Sequence, residues 1–119
     1  MKKILVVEDN ETNMYLITFI LKNRAYEVLE AKSGEEGVET AKGETPDLII
    51  MDIQLPGIDG LEATRQIRVS EANEKVPIVA LTSFAMVGDR EKAIEAGCTG
   101  YIEKPINPET FMTEIEKFL

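Results

Sequence analysis

Ile4-Leu5-Val6-Val7 runs directly into Glu8-Asp9, and this stretch decides how the chain is read. The same design returns twice, where Leu48-Ile49-Ile50-Met51 leads into Asp52 and Tyr101-Ile102-Glu103 leads into Lys104. Short, near-continuous apolar runs are what parallel strands covered on both faces require. In an open parallel sheet the ligand crevice lies outside the carboxyl ends of the strands. Glu8, Asp9, Asp52 and Lys104, remote in sequence, are therefore expected to meet there. Carboxylates brought together repel one another unless a cation or a shared proton intervenes. A hard, oxygen-preferring ion such as Mg2+ resolves that conflict.

Working outward from these runs, strand-like and helical patterns alternate along the chain. Strands are expected at 3–8, 27–31, 47–51, 77–82 and 100–102, and helices at 11–24, from Ser33 to near Gly43, at 61–70, at 87–96 and from Asn107 to 118. Ser33-Gly34-Glu35-Glu36 has the form of a capping box, and Asn107-Pro108-Glu109 supplies an N-cap, a first-position proline and an acidic first turn. The segment 52–60, with Pro56, Gly57 and Gly60, reads as a loop. Five βα units in series predict an α/β, flavodoxin-like fold: a doubly wound five-stranded parallel sheet of order 2-1-3-4-5 with five helices. Its switch point lies between the first and third strands, where Glu8, Asp9 and Asp52 sit.

Composition narrows the function. The 119 residues make one domain, 1–119, with 44% hydrophobic and 29% charged residues, as in an ordinary globular protein. A net charge of -9 disfavours non-specific binding to nucleic acid or an anionic membrane. The chain has no histidine, which removes His-based acid-base and nucleophile pairs. Cys98 is its only cysteine, so no intrachain disulfide forms and a reducing, cytoplasmic location is expected. No apolar run approaches the ~18 residues of a spanning helix. The apolar stretch after Met1-Lys2-Lys3 stops at Glu8, too early for a signal peptide, and its direct entry into the first strand suggests a native N-terminus.

A carboxylate at Asp52 can act as a nucleophile toward phosphorus if the phosphoryl charge is neutralised. Mg2+ held by Asp9 and Asp52, with Glu8 through water, would do most of that. Lys104 would pair with a phosphate oxygen, and Thr82, closing Pro77-Ile78-Val79-Ala80-Leu81, would donate its hydroxyl to another.

At this point the chain resembles the receiver domain of two-component response regulators over essentially its whole length. The matching pieces are Val6-Val7-Glu8-Asp9-Asn10, Asp47-Leu48-Ile49-Ile50-Met51-Asp52, Pro56 with Gly60, the run from Pro77 to Thr82, and Lys104-Pro105. Met51-Asp52-Ile53-Gln54-Leu55-Pro56 and Thr82-Ser83-Phe84-Ala85-Met86 are most similar to single-domain cell-cycle regulators and receivers of hybrid sensor kinases. The resemblance implies that Asp52 is the phosphoacceptor. It implies Mg2+ (or Mn2+) on Asp9, Asp52 and the backbone carbonyl of Gln54, with Glu8 through water. It further implies phosphate binding by Thr82 and Lys104, a Thr82–Tyr101 switch pair and a cis bond at Pro105.

The implied partners are a histidine kinase or phosphotransfer protein as donor and a downstream protein target, without nucleic acid or membrane, on a monomer or weak dimer. The chain would be a phosphoacceptor that catalyses only its own phosphorylation and dephosphorylation, rather than an enzyme on outside substrates. With no output domain after the last helix, its output is expected to be protein–protein. Tyr15 and Phe19, on the helix face opposite Asn13, Leu16, Ile17, Ile20, Leu21 and Arg24, form a candidate docking patch, and Phe84 and Met86 a second candidate partner surface. Apolar Phe84 cannot orient a water, so the phosphorylated state is not expected to be unusually short-lived. Asp47 and Asp59 read as cap or turn residues. Two other classes fit less well. A haloacid-dehalogenase-type phosphatase needs a second Asp where Gln54 stands, and a flavin mononucleotide carrier needs a phosphate cradle where Glu8-Asp9-Asn10-Glu11 would repel one.

Overall fold

The computed structural model describes residues 1–83 and 88–119. Its elements follow in the order β1 (Lys3–Val7), α1 (Glu11–Asn23), β2 (Glu27–Ala31), α2 (Gly34–Glu44), β3 (Leu48–Asp52), α3 (Gly60–Val69), β4 (Ile78–Thr82), α4 (Asp89–Ala96), β5 (Gly100–Glu103) and α5 (Pro108–Glu116). The strands form one parallel sheet of order β2-β1-β3-β4-β5, as the alternation predicts. Every residue of β3 and β4 is buried.

Successive strand residues point to opposite faces, and the core divides accordingly. Leu5, Val7, Ile49, Met51, Ile78 and Ala80 pack with Val38, Ala41, Ala63, Ile67 and Ala93 under α2, α3 and α4. Ile4, Val6, Leu48, Ile50, Val79 and Leu81 pack on the other face with Ile17, Leu21, Phe111 and Ile115 of α1 and α5. Each such Leu or Ile contributes about 1.5–3 kcal/mol of burial, so the strands whose ends carry the site are anchored on both faces.

The helix starts follow local chemistry. Asn10 accepts from the Asn13 N–H at 2.9 Å, Ser33 from the Glu36 N–H at 3.1 Å, Asp59 from the Glu62 N–H at 2.9 Å and Asn107 from the Glu109 N–H at 3.0 Å. Asp47 accepts from the Lys3 N–H at 2.8 Å and so ties the start of β1 to the start of β3.

Several boundaries differ from expectation. The capping box is half formed, because Glu36 Oε2 takes the Lys32 N–H at 3.4 Å rather than that of Ser33. Helix α2 runs past Gly43 to Glu44 and is closed by Thr45 in the left-handed region at φ 43. Helix α5 stops at Glu116 because Phe118 turns onto β5, where its ring lies against Gly100 and leaves no room for a Cβ. A 3-10 turn at Glu71–Asn73 had no sequence signal; fully buried Asn73 donates from it to the Ala41 carbonyl at 2.9 Å. The buried stripe of α1 is Met14, Ile17, Thr18, Ile20 and Leu21. Arg24, expected toward the sheet, caps the helix and is exposed because the helical period has ended there. It pairs with Glu116 at 3.3 Å.

Candidate functional site

The pairing Val7↔Met51 places the next residues of β1 and β3 side by side at the sheet's carboxyl edge. Glu8 and Asp52 are each 1% exposed there, while Asp9 is open to solvent. One oxygen from each of Glu8, Asp9 and Asp52 lies within 4.8 Å of the others. Lys104 reaches in from the end of β5, with its Nζ 3.0 Å from Glu8 Oε1 and 3.3 Å from Asp52 Oδ2. Its backbone is held by a 2.7 Å bond from its N–H to the Thr82 carbonyl, and the Lys104–Pro105 peptide is cis. The Asn10 N–H donates to Glu8 Oε2 at 3.2 Å, and the Gln54 N–H donates to Asp52 Oδ1 at 3.0 Å. Gly60 lets the β3–α3 loop fold back onto the Asp52 carbonyl, since a Cβ at this position would collide with the Asp52 and Ile53 backbone.

Burial is the main reason the Glu8 carboxyl is pushed up to about 7; its hydrogen bond with Asp52 adds to this, and Lys104 and the Asn10 N–H oppose it. For Lys104, burial acts to lower the pKa, but the contacts with Glu8 and Asp52 outweigh it and the net direction is up. Fully ionised, three carboxylates face one ammonium. Glu8 Oε1, although 3.0 Å from Lys104 Nζ, is buried without a well-directed hydrogen bond. Excess negative charge, an all-oxygen donor set, a spare acceptor and one open side at Asp9 fit a hard divalent cation. The cluster brings together Glu8, Asp9 and Asp52, three of the residues the sequence singles out.

Thr82, 3% exposed at the end of β4, stands beside this group. It is hydrogen-bonded to half-buried Tyr101, whose hydroxyl is pushed up by burial first and by Asp89 next. The expected switch pair is therefore in contact. Two features were not foreseen. Gln54 Nε2 donates to Thr82 Oγ1 at 3.4 Å, and Gln54 Oε1 accepts from the Ser83 N–H at 3.2 Å. The sequence signal available was only the position of Gln54, two residues beyond Asp52 in a turn.

Tyr15 and Phe19 are 73% and 54% exposed, with their rings stacked at a centroid distance of 6.3 Å. They line a groove of about 460 Å³ that runs along α1 to Glu8 and Asp9. Phe19 also borders a second groove, between α1 and α5, with Leu16, Ile20, Pro108 and Met112. Phe84 and Met86 lie outside the described residues.

Among the described residues no helix is long and apolar enough to cross a membrane. The family model described as response regulator receiver domain matches residues 4–116. A polar-differentiation response regulator DivK of Brucella ovis is 42% identical, with 99% of this chain and 96% of the relative covered. The solved receiver domain of the sensor histidine kinase PA1611 of Pseudomonas aeruginosa, with magnesium coordinated in its active site cleft, is 38% identical at a TM-score of 0.91, covering 98% of this chain and 96% of that one. The chemotaxis protein CheY4 of Vibrio cholerae superposes at a TM-score of 0.96 with 29% identity, over 100% of this chain and 99% of that one. With the family match running from β1 through α5, and an acid cluster and lysine placed as such a fold needs them, the chain belongs to the response regulator receiver domains of two-component signalling.

Proposed function

We propose that this receiver accepts a phosphoryl group on Asp52 from a phosphohistidine donor and passes the event on through a protein-binding surface. The observation that carries this reading is the Lys104 ammonium, held between Glu8 and Asp52 at 3.0 and 3.3 Å within a cluster of three carboxylates. A carboxylate oxygen of Asp52 attacks phosphorus, the P–N bond to the donor imidazole breaks, and the imidazole leaves with the electron pair. Asp9, Asp52 and the Gln54 carbonyl would hold Mg2+, with Glu8 acting through water. Bound there, the ion supplies positive charge that offsets the phosphoryl oxygens and the carboxylates. Lys104 follows the new phosphoryl group as a point charge. Thr82 turns its hydroxyl toward that group, and Tyr101, now in contact with Thr82, moves with it. The consequence is a shift between two states of the α4–β5–α5 face, limited in size by how differently the phosphoryl group stabilises them.

The chain would then act on no outside substrate and would catalyse only the gain and loss of its own phosphoryl group. The stacked Tyr15 and Phe19, beside a groove leading to Glu8 and Asp9, fit the apolar face of a donor helix and would bring its phosphohistidine toward Asp52. The deciding experiment is intact-protein mass after incubation with acetyl phosphate, with and without Mg2+, for wild type and Asp52→Ala. A single phosphoryl adduct that needs both Mg2+ and Asp52 is expected. An adduct on Asp52→Ala, or none on folded wild type, overturns the reading.

A further inference from the structure

The side chain of Gln54 spans the mouth of the site. Its backbone N–H holds Asp52 Oδ1 at 3.0 Å, its Nε2 donates to Thr82 Oγ1 at 3.4 Å, and its Oε1 accepts from the Ser83 N–H at 3.2 Å. The pairing Asp52↔Leu81 puts Thr82 and Ser83 immediately beyond, on the strand next to the carboxylate. The amide orientation is fixed by chemistry, because the reverse would point an NH2 at the Ser83 N–H, donor against donor. The same amide therefore meets the two residues in opposite senses, donating to the Thr82 hydroxyl oxygen and accepting from the Ser83 N–H. A phosphoryl group on Asp52 carries oxygens that accept hydrogen bonds, and on this side Thr82 O–H and Ser83 N–H are placed to donate them. Gln54 Oε1 already takes the Ser83 N–H as such an oxygen would. The two occupancies compete for the Ser83 N–H, while the contact of Nε2 with Thr82 Oγ1 anchors the amide in place.

We propose that the Gln54 side-chain amide is a latch on the resting state: its Oε1 occupies the Ser83 N–H and must swing out before a phosphoryl group on Asp52 can use that donor. This rests on the reading of Asp52 as phosphoacceptor. Gln54 is a positioning residue here, acting through Thr82 and Ser83. A role limited to guiding hydrolytic water would alter only the lifetime of the phosphorylated state. A latch alters the equilibrium for acquiring it. Gln54 is exposed and its side chain fills no core, so replacing it leaves the packing intact, and the backbone carbonyl expected to face the cation is kept.

The test uses Gln54→Ala, which removes the amide, and Gln54→Leu, which keeps its bulk without hydrogen bonds. In metal-free protein the Ser83 amide proton should lose exchange protection in both variants. Beryllofluoride, a stable phosphoryl mimic, should bind both roughly three- to tenfold more tightly than wild type in saturating Mg2+, the scale of one net neutral hydrogen bond. Unchanged Ser83 protection, or beryllofluoride affinity unchanged or weakened in both variants, overturns the latch. So does a change confined to the rate of phosphate loss. If wild type binds beryllofluoride no better than Asp52→Ala does, the phosphoacceptor reading itself falls, and the latch with it.

Discussion

Glu8 gives the most quantitative test of the site. Its carboxyl is 1% exposed, faces Asp52, and is pushed from 4.5 up to about 7, first by burial and then by its bond with Asp52. A folded-state pKa above the unfolded one means that the native protein binds the proton more tightly. The stabilisation this gives is complete below pH 4.5 and is lost as the pH rises through 7. At about 1.4 kcal/mol per pH unit, the difference amounts to roughly 3 kcal/mol. In Glu8→Gln the side chain is neutral at every pH and this loss disappears. Urea unfolding in chelator, followed by circular dichroism from pH 5 to pH 8, should therefore show wild type and variant close together at the acidic end. At pH 8 wild type should fall behind by about 3 kcal/mol, or ~1–3 M in midpoint at ordinary urea slopes. Saturating Mg2+ should raise wild-type stability at pH 8, since a ligand at a hundred times its Kd adds about 2.7 kcal/mol. A stability difference between the two proteins that does not vary with pH in chelator would refute the electrostatic account of Glu8.

Other perturbations test separate parts of the molecule. Lys104→Ala removes the ammonium lying 3.0 Å from Glu8 and 3.3 Å from Asp52; Mg2+ should bind at least as tightly as before, while phosphorylation by acetyl phosphate should slow by tenfold or more, read from the mass of the adduct over time. Tyr15→Ala with Phe19→Ala, both exposed, should leave the urea midpoint within about 0.5 kcal/mol of wild type and weaken phosphotransfer from a donor protein while sparing acetyl phosphate; equal transfer rates would remove the docking role. Arg68→Met strips the Gly97 carbonyl of guanidinium bonds at 2.9 and 2.8 Å and the Asn73 carbonyl of one at 3.0 Å; a loss of about 2–4 kcal/mol in chemical denaturation is expected from these orphaned acceptors. The Cys98 thiol is 5% exposed and pushed up mainly by burial, so a thiol reagent at pH 8 should react with native protein far more slowly than with protein in urea.

Much of the fold could be read in the chain because its signals are local. A strand covered on both faces has to be apolar throughout, so β1, β3 and β4 announce themselves, and Asn10, Ser33, Asp59 and Asn107 cap the helices that follow them. Topology then supplies convergence at no further cost in sequence, since any residue just past a central strand arrives at the same crevice. Glu8, Asp9 and Asp52 meet for that reason, and Lys104 reaches them with its long side chain from the edge strand β5. What the sequence does not carry depends on distance across the fold. Nothing beside Arg68 says that its guanidinium will close the C-terminus of α4, twenty-nine residues away in sequence at Gly97. Nothing beside Asn73 points to the Ala41 carbonyl. The buried stripe of α1 is rotated toward Met14 and Thr18, which the apolar spacing centred on Ile17, Ile20 and Leu21 does not show.

Gln54 joins the two kinds of information. Its position is local, two residues past Asp52, and there its backbone N–H does the local task of holding Asp52 Oδ1. Its side chain does something no neighbour in sequence dictates, reaching Thr82 and Ser83 across the crevice. A receiver needs a carboxylate that is reactive and donors that are available only once the phosphoryl group has arrived. The sequence around Asp52 supplies the first requirement. The second, under the proposed latch, depends on the Gln54 amide at the Ser83 N–H, and that is a property of the folded crevice rather than of either strand.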